Sequence, residues 1–219
     1  MRIVETPIPG LLVVERDMFL DRRGAFHEAY LDSAFAAAGL PTEFPQVSDS
    51  HSRAGVLRGL HLQVPSSQAK LVRVVAGSVF DVVVDLRPGS ASWGRWMAFN
   101  LAAEAPRMLY VPAGFAHGFA ALSDAVLIYH LSAPYDPEGQ VTIAWDDPEL
   151  AVDWPIRQPI ISDADAHGIS LAEFRRRFAR AAAADALSVQ AAPVSRERDG
   201  GSARGTCWSL QKRPARFVE

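Results

Sequence analysis

The sequence predicts an all-β fold of the sandwich, jelly-roll or barrel kind with only a few short helices. Three observations predict it. Short apolar runs rich in Val, Leu, Phe and Tyr recur at close spacing, broken by Gly, Pro, Asp and Ser. Helical periods of about 10–15 residues do not alternate with these runs, so a parallel βαβ sheet is not expected. Strict alternation fails in Ser78–Leu86, which suits a strand covered on both faces.

The elements follow in order. Strands are expected at Leu11–Glu15, Ala25–Tyr30, Gln46–Ser52, Val56–Gln63 and Lys70–Ala76. Further strands are expected at Ser78–Leu86, Arg95–Leu101, Arg107–Val111, Gly118–Leu122 and Val126–Leu131. Between the first of these, Asp32–Ala38 makes about two helical turns and stops near Gly39. Ala76-Gly77-Ser78 reads as a hairpin turn between two apolar runs. Arg87-Pro88-Gly89-Ser90 puts Pro beside Gly and reverses the chain. Ser170-Leu-Ala-Glu173 is a capping box that opens an Ala- and Arg-rich helix running to about Leu187. Pro193–Arg216 is rich in Arg, Gly and Ser and reads as a flexible tail, in which Trp208, Leu210 and Phe217 are unusual. The expected organisation is a β-domain over 1–168 followed by a helix and basic tail over 169–219.

Composition narrows the function classes. The 219 residues are 49% hydrophobic and 21% charged, which excludes a wholly disordered chain. No apolar run approaches the roughly 20 residues of a membrane span, and no signal segment opens the chain, so no membrane role is expected. A single cysteine, Cys207, excludes an intramolecular disulfide framework and a Cys-rich zinc site, so a reducing, cytoplasmic setting is expected. The net charge is −3; residues 171–219 carry ten Lys/Arg against five Asp/Glu, leaving −8 on the rest. That acidic body argues against nucleic acid as a partner, and the basic tail reads as solvated.

The informative residues are those that interrupt apolar strands: Arg58, His61, Gln63, Lys70, Arg73, Asp81, Asp85, His117 and Tyr129. So many ionisable groups need partners if buried, so they line a polar cavity or an exposed face. Alternation places Leu57, Gly59, His61 and Gln63 on one face of their strand, and Arg58, Leu60 and Leu62 on the other. A lone histidine is more often a hydrogen-bonded core residue; the company of His61 and His117 favours function. No Gly-x-Gly-x-x-Gly, phosphate loop or Gly-x-Ser-x-Gly elbow is present, which disfavours nucleotide-cofactor folds, kinases and serine hydrolases. His, Lys and Tyr remain. Together they suit removal of a proton next to a carbonyl, with a cation holding the enolate oxygen.

The ordered set Gly55–Gln63, Gln68–Arg73, Val79–Arg87, Pro112–Phe119, Tyr135–Pro137, Trp145–Asp147, Asp153–Pro155 and Ile161–Asp165 resembles the dTDP-4-dehydrorhamnose 3,5-epimerase family over about residues 1–168. The resemblance implies a cupin jelly roll and a homodimer in which N-terminal strands help build the partner's sheet. It implies a dTDP-linked 4-keto-6-deoxyhexose substrate, inverted at C3 and C5 without a cofactor or metal. His61 would be the general base, Asp165 its carboxylate partner, Lys70 the oxyanion holder and Tyr129 the acid on the opposite sugar face. Arg58 and His117 would line the sugar and phosphate pocket, and Arg23, Glu28, Gln46 and Tyr135 would serve the nucleotide. Ser48 stands where the family usually has Asn, Gln140 where it has Glu, Ala164 where Lys is common, and Leu62 where an aromatic is common. These departures touch binding rather than proton transfer. An enzyme inverting C3 alone and a non-catalytic sugar-nucleotide-binding cupin are the alternatives, and retention of His61, Lys70, Tyr129 and Asp165 argues against silence. A metal-dependent cupin is the remaining rival. Pro112-x-Gly-x-x-His117 resembles half of a cupin metal signature, but His61 offers no third ligand beside it.

Overall fold

A computed structural model describes residues 1–185. The tail at Pro193–Arg216 with Trp208 and Leu210, and Phe217, lies outside the described residues, as do Cys207 and the expected helix end near Leu187. The chain forms β1 (Arg2–Glu5), β2 (Leu12–Glu15), β3 (Phe19–Asp21), β4 (Gly24–Phe26), α1 (Asp32–Ala37), β5 (Gln46–Ser52), β6 (Leu57–Gln63), β7 (Lys70–Ala76) and β8 (Ser78–Asp85). It continues through β9 (Trp96–Ala102), β10 (Arg107–Val111), β11 (Phe115–Ala121), β12 (Ala125–Leu131), β13 (Gln140–Thr142), α2 (Asp163–Ala166) and α3 (Leu171–Asp185). A six-stranded sheet has the order β1-β2-β10-β7-β12-β5, and a five-stranded sheet the order β13-β6-β11-β8-β9. This is the expected double-sheet jelly roll.

Three apolar layers hold it. Between the sheets lie Val13, Val72, Val74, Val79, Val83, Phe119 and Leu127. A side chain such as Phe119, 2% exposed, contributes about 3–5 kcal/mol when truncated to alanine. The outer face of the five-stranded sheet is covered by the segment that follows β13, through Ile143, Trp154, Leu171 and Phe174. The outer face of the six-stranded sheet is covered by α1 and its flanks, through Phe35, Tyr30, Leu40 and Phe44. The stop of α1 is made by hydrogen bonds from the Leu40 amide to the Phe35 carbonyl (2.9 Å) and from Gly39 to Ala36 (3.0 Å), a Schellman motif. The Ser170 hydroxyl accepts from the Glu173 amide at 3.1 Å, as a capping residue should.

Several elements differ from the sequence expectation. Ala76-Gly77-Ser78 is not a hairpin turn: β7 pairs with β10 and β12, whereas β8 pairs with β9 and β11. The single residue between them carries the chain from one sheet to the other. Gly77 adopts φ 69° there, and a Cβ on it would lie 2.0 Å from the Asp124 carbonyl oxygen. The expected strand Ala25–Tyr30 shortens to β4, because it pairs only with three-residue β3 in a separate hairpin. Strands β1, β3 and β13 are additional; each is short and lacks an apolar run.

The alternation expected in β6 is also broken. Residue pairs with β11 run His61↔His117 and then Arg58↔Phe119, so β6 carries one extra residue across the bulge. Leu57, Leu60 and Leu62 all join the outer layer, while the Arg58 guanidinium donates to the Ser52 hydroxyl at 3.0 Å. Close contact requires glycine here: a Cβ on Gly59 would sit 2.7 Å from Gly118 Cα, and one on Gly118 would sit 2.6 Å from the Arg58 carbonyl oxygen.

Candidate active site

An open cleft of about 490 Å³ lies between the two sheets at one end of the sandwich. The six-stranded sheet contributes Ser48, Lys70, Tyr129 and Leu131 to it; the five-stranded sheet contributes His61, Leu62, Gln63 and Gln140. Gln68 and Tyr135 complete the wall from loops. Glutamines fix those loops. Gln46 accepts from the Tyr135 amide at 2.7 Å and donates to Ser48 Oγ at 3.0 Å. Gln63 accepts from the Asp136 amide and donates to the Ser66 carbonyl, each at 3.0 Å.

His61 bonds through Nε2 to Asp165 Oδ1 at 2.5 Å, although the two are 104 residues apart. The carboxylate is nearly sealed and the imidazole keeps 30% side-chain exposure. Asp165 arrives on the single turn of α2, whose N-cap Ser162 accepts the Asp165 amide at 3.1 Å. Burial pushes the Asp165 carboxyl up, but hydrogen bonds from His61, Ser162 and the Gly59 backbone outweigh it and leave the pKa below its ordinary value. Asp165 therefore stays ionised and fixes the ring, leaving Nδ1 as the nitrogen free to take a proton.

Lys70 and Tyr129 face this pair from the other sheet. Lys70 Nζ donates to the His61 carbonyl oxygen at 3.4 Å. Lys70 keeps some exposure to the cleft, yet protein packed around it lowers its pKa to about 8, against an upward pull from Asp81. The Tyr129 hydroxyl lies 3.2 Å from Ser50 Oγ. Burial, with the nearby Asp81 charge, drives its pKa upward, so the phenol keeps its proton.

Other expected residues are placed differently. His117 sits behind the cleft wall, 3% exposed, its Nε2 2.9 Å from the fully buried Asp81. Its ring packs edge-on against Tyr129, with centroids 6.2 Å apart. Arg58 projects from the neighbouring rim and donates to the His51 carbonyl at 3.1 Å. Arg23 stands on the exposed β3–β4 turn, ion-paired with Asp21 at 2.5 Å, and Glu28 is also exposed; neither lines the cleft of its own chain. Asp81 and Ser50 were not assigned roles from the sequence. The signal for Asp81 was a carboxylate on the inward parity of an otherwise apolar strand. Among the described residues no three His, Cys, Asp or Glu side chains converge as a metal site, because His61 and His117 each face a separate carboxylate.

The arrangement brings together an imidazole held by a carboxylate, a lysine beside it, and a protonated phenol on the opposite sheet. Residues 5–173 match the family described as dTDP-4-dehydrorhamnose 3,5-epimerase. The chain is 44% identical over 176 residues to a Pseudomonas aeruginosa protein of that name, covering 79% of this chain and 97% of that one. A 4-keto-6-deoxy sugar epimerase from the novobiocin biosynthetic gene cluster of Streptomyces spheroides superposes with TM-score 0.78 at 42% identity, covering 81% and 90% of the two chains. A Legionella pneumophila epimerase in complex with dTDP-4-keto-L-rhamnose superposes with TM-score 0.75 at 41% identity, covering 78% and 93%.

Proposed function

The chain belongs to the dTDP-4-dehydrorhamnose 3,5-epimerase family, and on that premise we propose how its cleft performs epimerisation. It is an isomerase acting at C3 and C5 of a dTDP-linked 4-keto-6-deoxyhexose. The C4 ketone acidifies the protons on both neighbouring carbons. His61 Nδ1 removes one of them, and Asp165 stabilises the imidazolium that forms. Lys70 holds the oxygen at C4 as it becomes an enolate; that charge exists only along the reaction path, so the interaction favours the transition state over the ground state. Tyr129 returns a proton to the opposite face of the ring.

The observation that carries this reading is the placement of His61 and Tyr129 on different sheets across one cleft. Inversion needs removal on one face and delivery on the other, which one group on one wall cannot do.

We also propose a homodimer in which the β3–β4 hairpin reaches the partner's cleft. Phe19, Leu20 and Phe26 are 61–73% exposed on that hairpin, beside Arg23 and Glu28. This supports a covered position in the assembly and a nucleotide-binding role for that arginine and glutamate in trans.

The test is incubation with dTDP-4-keto-6-deoxyglucose in deuterated water, with proton NMR following C3 and C5 separately. Deuterium enters at both carbons with inversion at each. Exchange confined to C3 would reduce the activity to a single inversion; exchange at neither carbon would overturn the reading.

A further inference from the structure

On the outer face of the six-stranded sheet, away from the cleft, the chain gathers cations without an anion. Among the described residues, five buried side-chain atoms lack a hydrogen-bond partner: Nε and Nη1 of Arg16, Nε of Arg73, and Nδ1 of His27 and of His130. All five are nitrogens, and the residues come from four separate segments. Arg73 is on β7 and His130 on β12; His130 stands opposite Leu71, two residues from Arg73 on the same face. Arg16 directly follows β2 and His27 directly follows β4. Arg16 is only 5% exposed, and its one side-chain bond goes from Nη2 to the Ala105 carbonyl at 3.3 Å.

These groups act on each other as like charges. The Arg16 guanidinium is destabilised by burial and by Arg73. His27 is held below its ordinary pKa by burial, then by Arg16 and Arg73. His130 is held low by burial and by Arg73, against a backbone hydrogen bond at Leu71 that works upward. Tyr30 stacks on the His130 ring and Phe44 meets it edge-on, so neither supplies a charge. Of the carboxylates beside Arg16 in the chain, Asp17 pairs with the N-terminal ammonium and Glu15 with Arg2 and Arg107; Glu28, next to His27, is exposed. Among the described residues no ion pair joins any of the four to an acid.

A buried guanidinium, a half-buried one and two half-buried imidazoles, each with a buried nitrogen lacking a partner, make an uncompensated site. Guanidinium forks and ring N–H groups match the lone pairs of a tetrahedral oxyanion, and charge-assisted bonds of that kind are the strong ones. We propose that this cluster binds a small inorganic oxyanion of the phosphate or sulfate class. The anion bridges β2, β7 and β12 to the chain leaving β4. Because His27 follows the β3–β4 hairpin, the same anion anchors the base of that hairpin.

The experiment uses the full-length protein in chloride and in inorganic phosphate at matched ionic strength. Histidine ring signals are followed by NMR from pH 5 to 8, and thermal unfolding is measured in both buffers. In chloride His27 and His130 titrate below the ordinary imidazole range, and phosphate moves both upward. Phosphate at about a hundredfold excess over its dissociation constant raises the melting temperature by roughly 5–10 °C. Arg73→Met abolishes that increment while unfolding no lower in chloride than wild type, since it relieves repulsion. Arg73→Lys keeps the charge without the fork and retains part of the increment. Identical melting temperatures and histidine titrations in the two buffers for wild type would overturn the proposal, independently of any variant. An increment that survives intact in Arg73→Met would also overturn it, by placing the anion elsewhere.

Discussion

His61 and His117 stand directly opposite each other on neighbouring strands, and each bonds an aspartate through Nε2. Their difference is access. The His61 side chain is 30% exposed at the cleft, and that of His117 is 4% exposed beneath it. The same pair of groups is therefore open to the cleft in one place and sealed within the protein in the other. The sealed pair still affects the site, because Asp81 pulls the Lys70 pKa up against the burial that lowers it and helps keep the Tyr129 phenol protonated. A histidine–aspartate pair by itself does not mark the cleft; exposure to it, beside Lys70 and Tyr129, separates His61 from His117.

The largest effect is expected where the comparison is sharpest. His61→Ala lowers deuterium exchange at both carbons by about 10²–10⁴-fold, the usual worth of a general base, without lowering the melting temperature comparably. Exchange at the wild-type rate in a folded His61→Ala protein would remove His61 from its role. His117→Asn does the reverse. It leaves Asp81 buried with a poorer partner, at a cost of about 3 kcal/mol, which thermal unfolding reads as roughly 6–12 °C. Exchange per folded molecule stays within about tenfold of wild type. If His117→Asn instead abolishes exchange while remaining as stable as wild type, the two histidines have been assigned the wrong way round.

A smaller and continuous effect comes from pH. Lys70 has a folded pKa of about 8 against an ordinary 10.5, so it loses its charge as pH rises through about 8. Turnover falls on that limb, because a neutral amine holds an enolate oxygen less well. Between about pH 8 and 10.5 the unfolded chain binds more protons than the folded one, so this group raises stability as pH rises. Activity and stability thus move in opposite directions over that window. Lys70→Arg removes the alkaline limb near pH 8 from the turnover profile; a limb unchanged in that variant assigns it to another group.

Much of the fold was legible. Apolar runs bounded by Gly, Pro and Asp marked β2, β5 to β12 and α1, because each buries at least one face. The short strands β1, β3 and β13 were not, since pairing rather than composition makes them strands. The change of sheet at Gly77 was read as a hairpin because both require a glycine at positive φ. The bulge at Gly59 was invisible to an argument that assumes an unbroken ladder, and it is what aligns Arg58 with the His61 side of β6. In the site, His61, Lys70 and Tyr129 were visible as polar interruptions of apolar strands. Asp165 was not: it lies on one turn of helix 104 residues away, and only family resemblance pointed to it. Of the Arg16, His27, Arg73 and His130 cluster only Arg73 stood out, as a polar interruption of an apolar strand; the grouping was hidden because its four members come from four separated segments.

The central claim is that base and acid stand on opposite walls of the cleft, and Tyr129→Phe tests it most directly. The variant keeps the ring that packs on His117 and loses only the hydroxyl and its contact with Ser50. Wild type and variant are compared in deuterated water, with exchange and inversion read separately at C3 and C5. In the variant, exchange through His61 continues while net inversion falls by about 10²–10³-fold. Inversion at the wild-type rate at both carbons would show that the second proton does not come from Tyr129, and the two-walled account would be wrong.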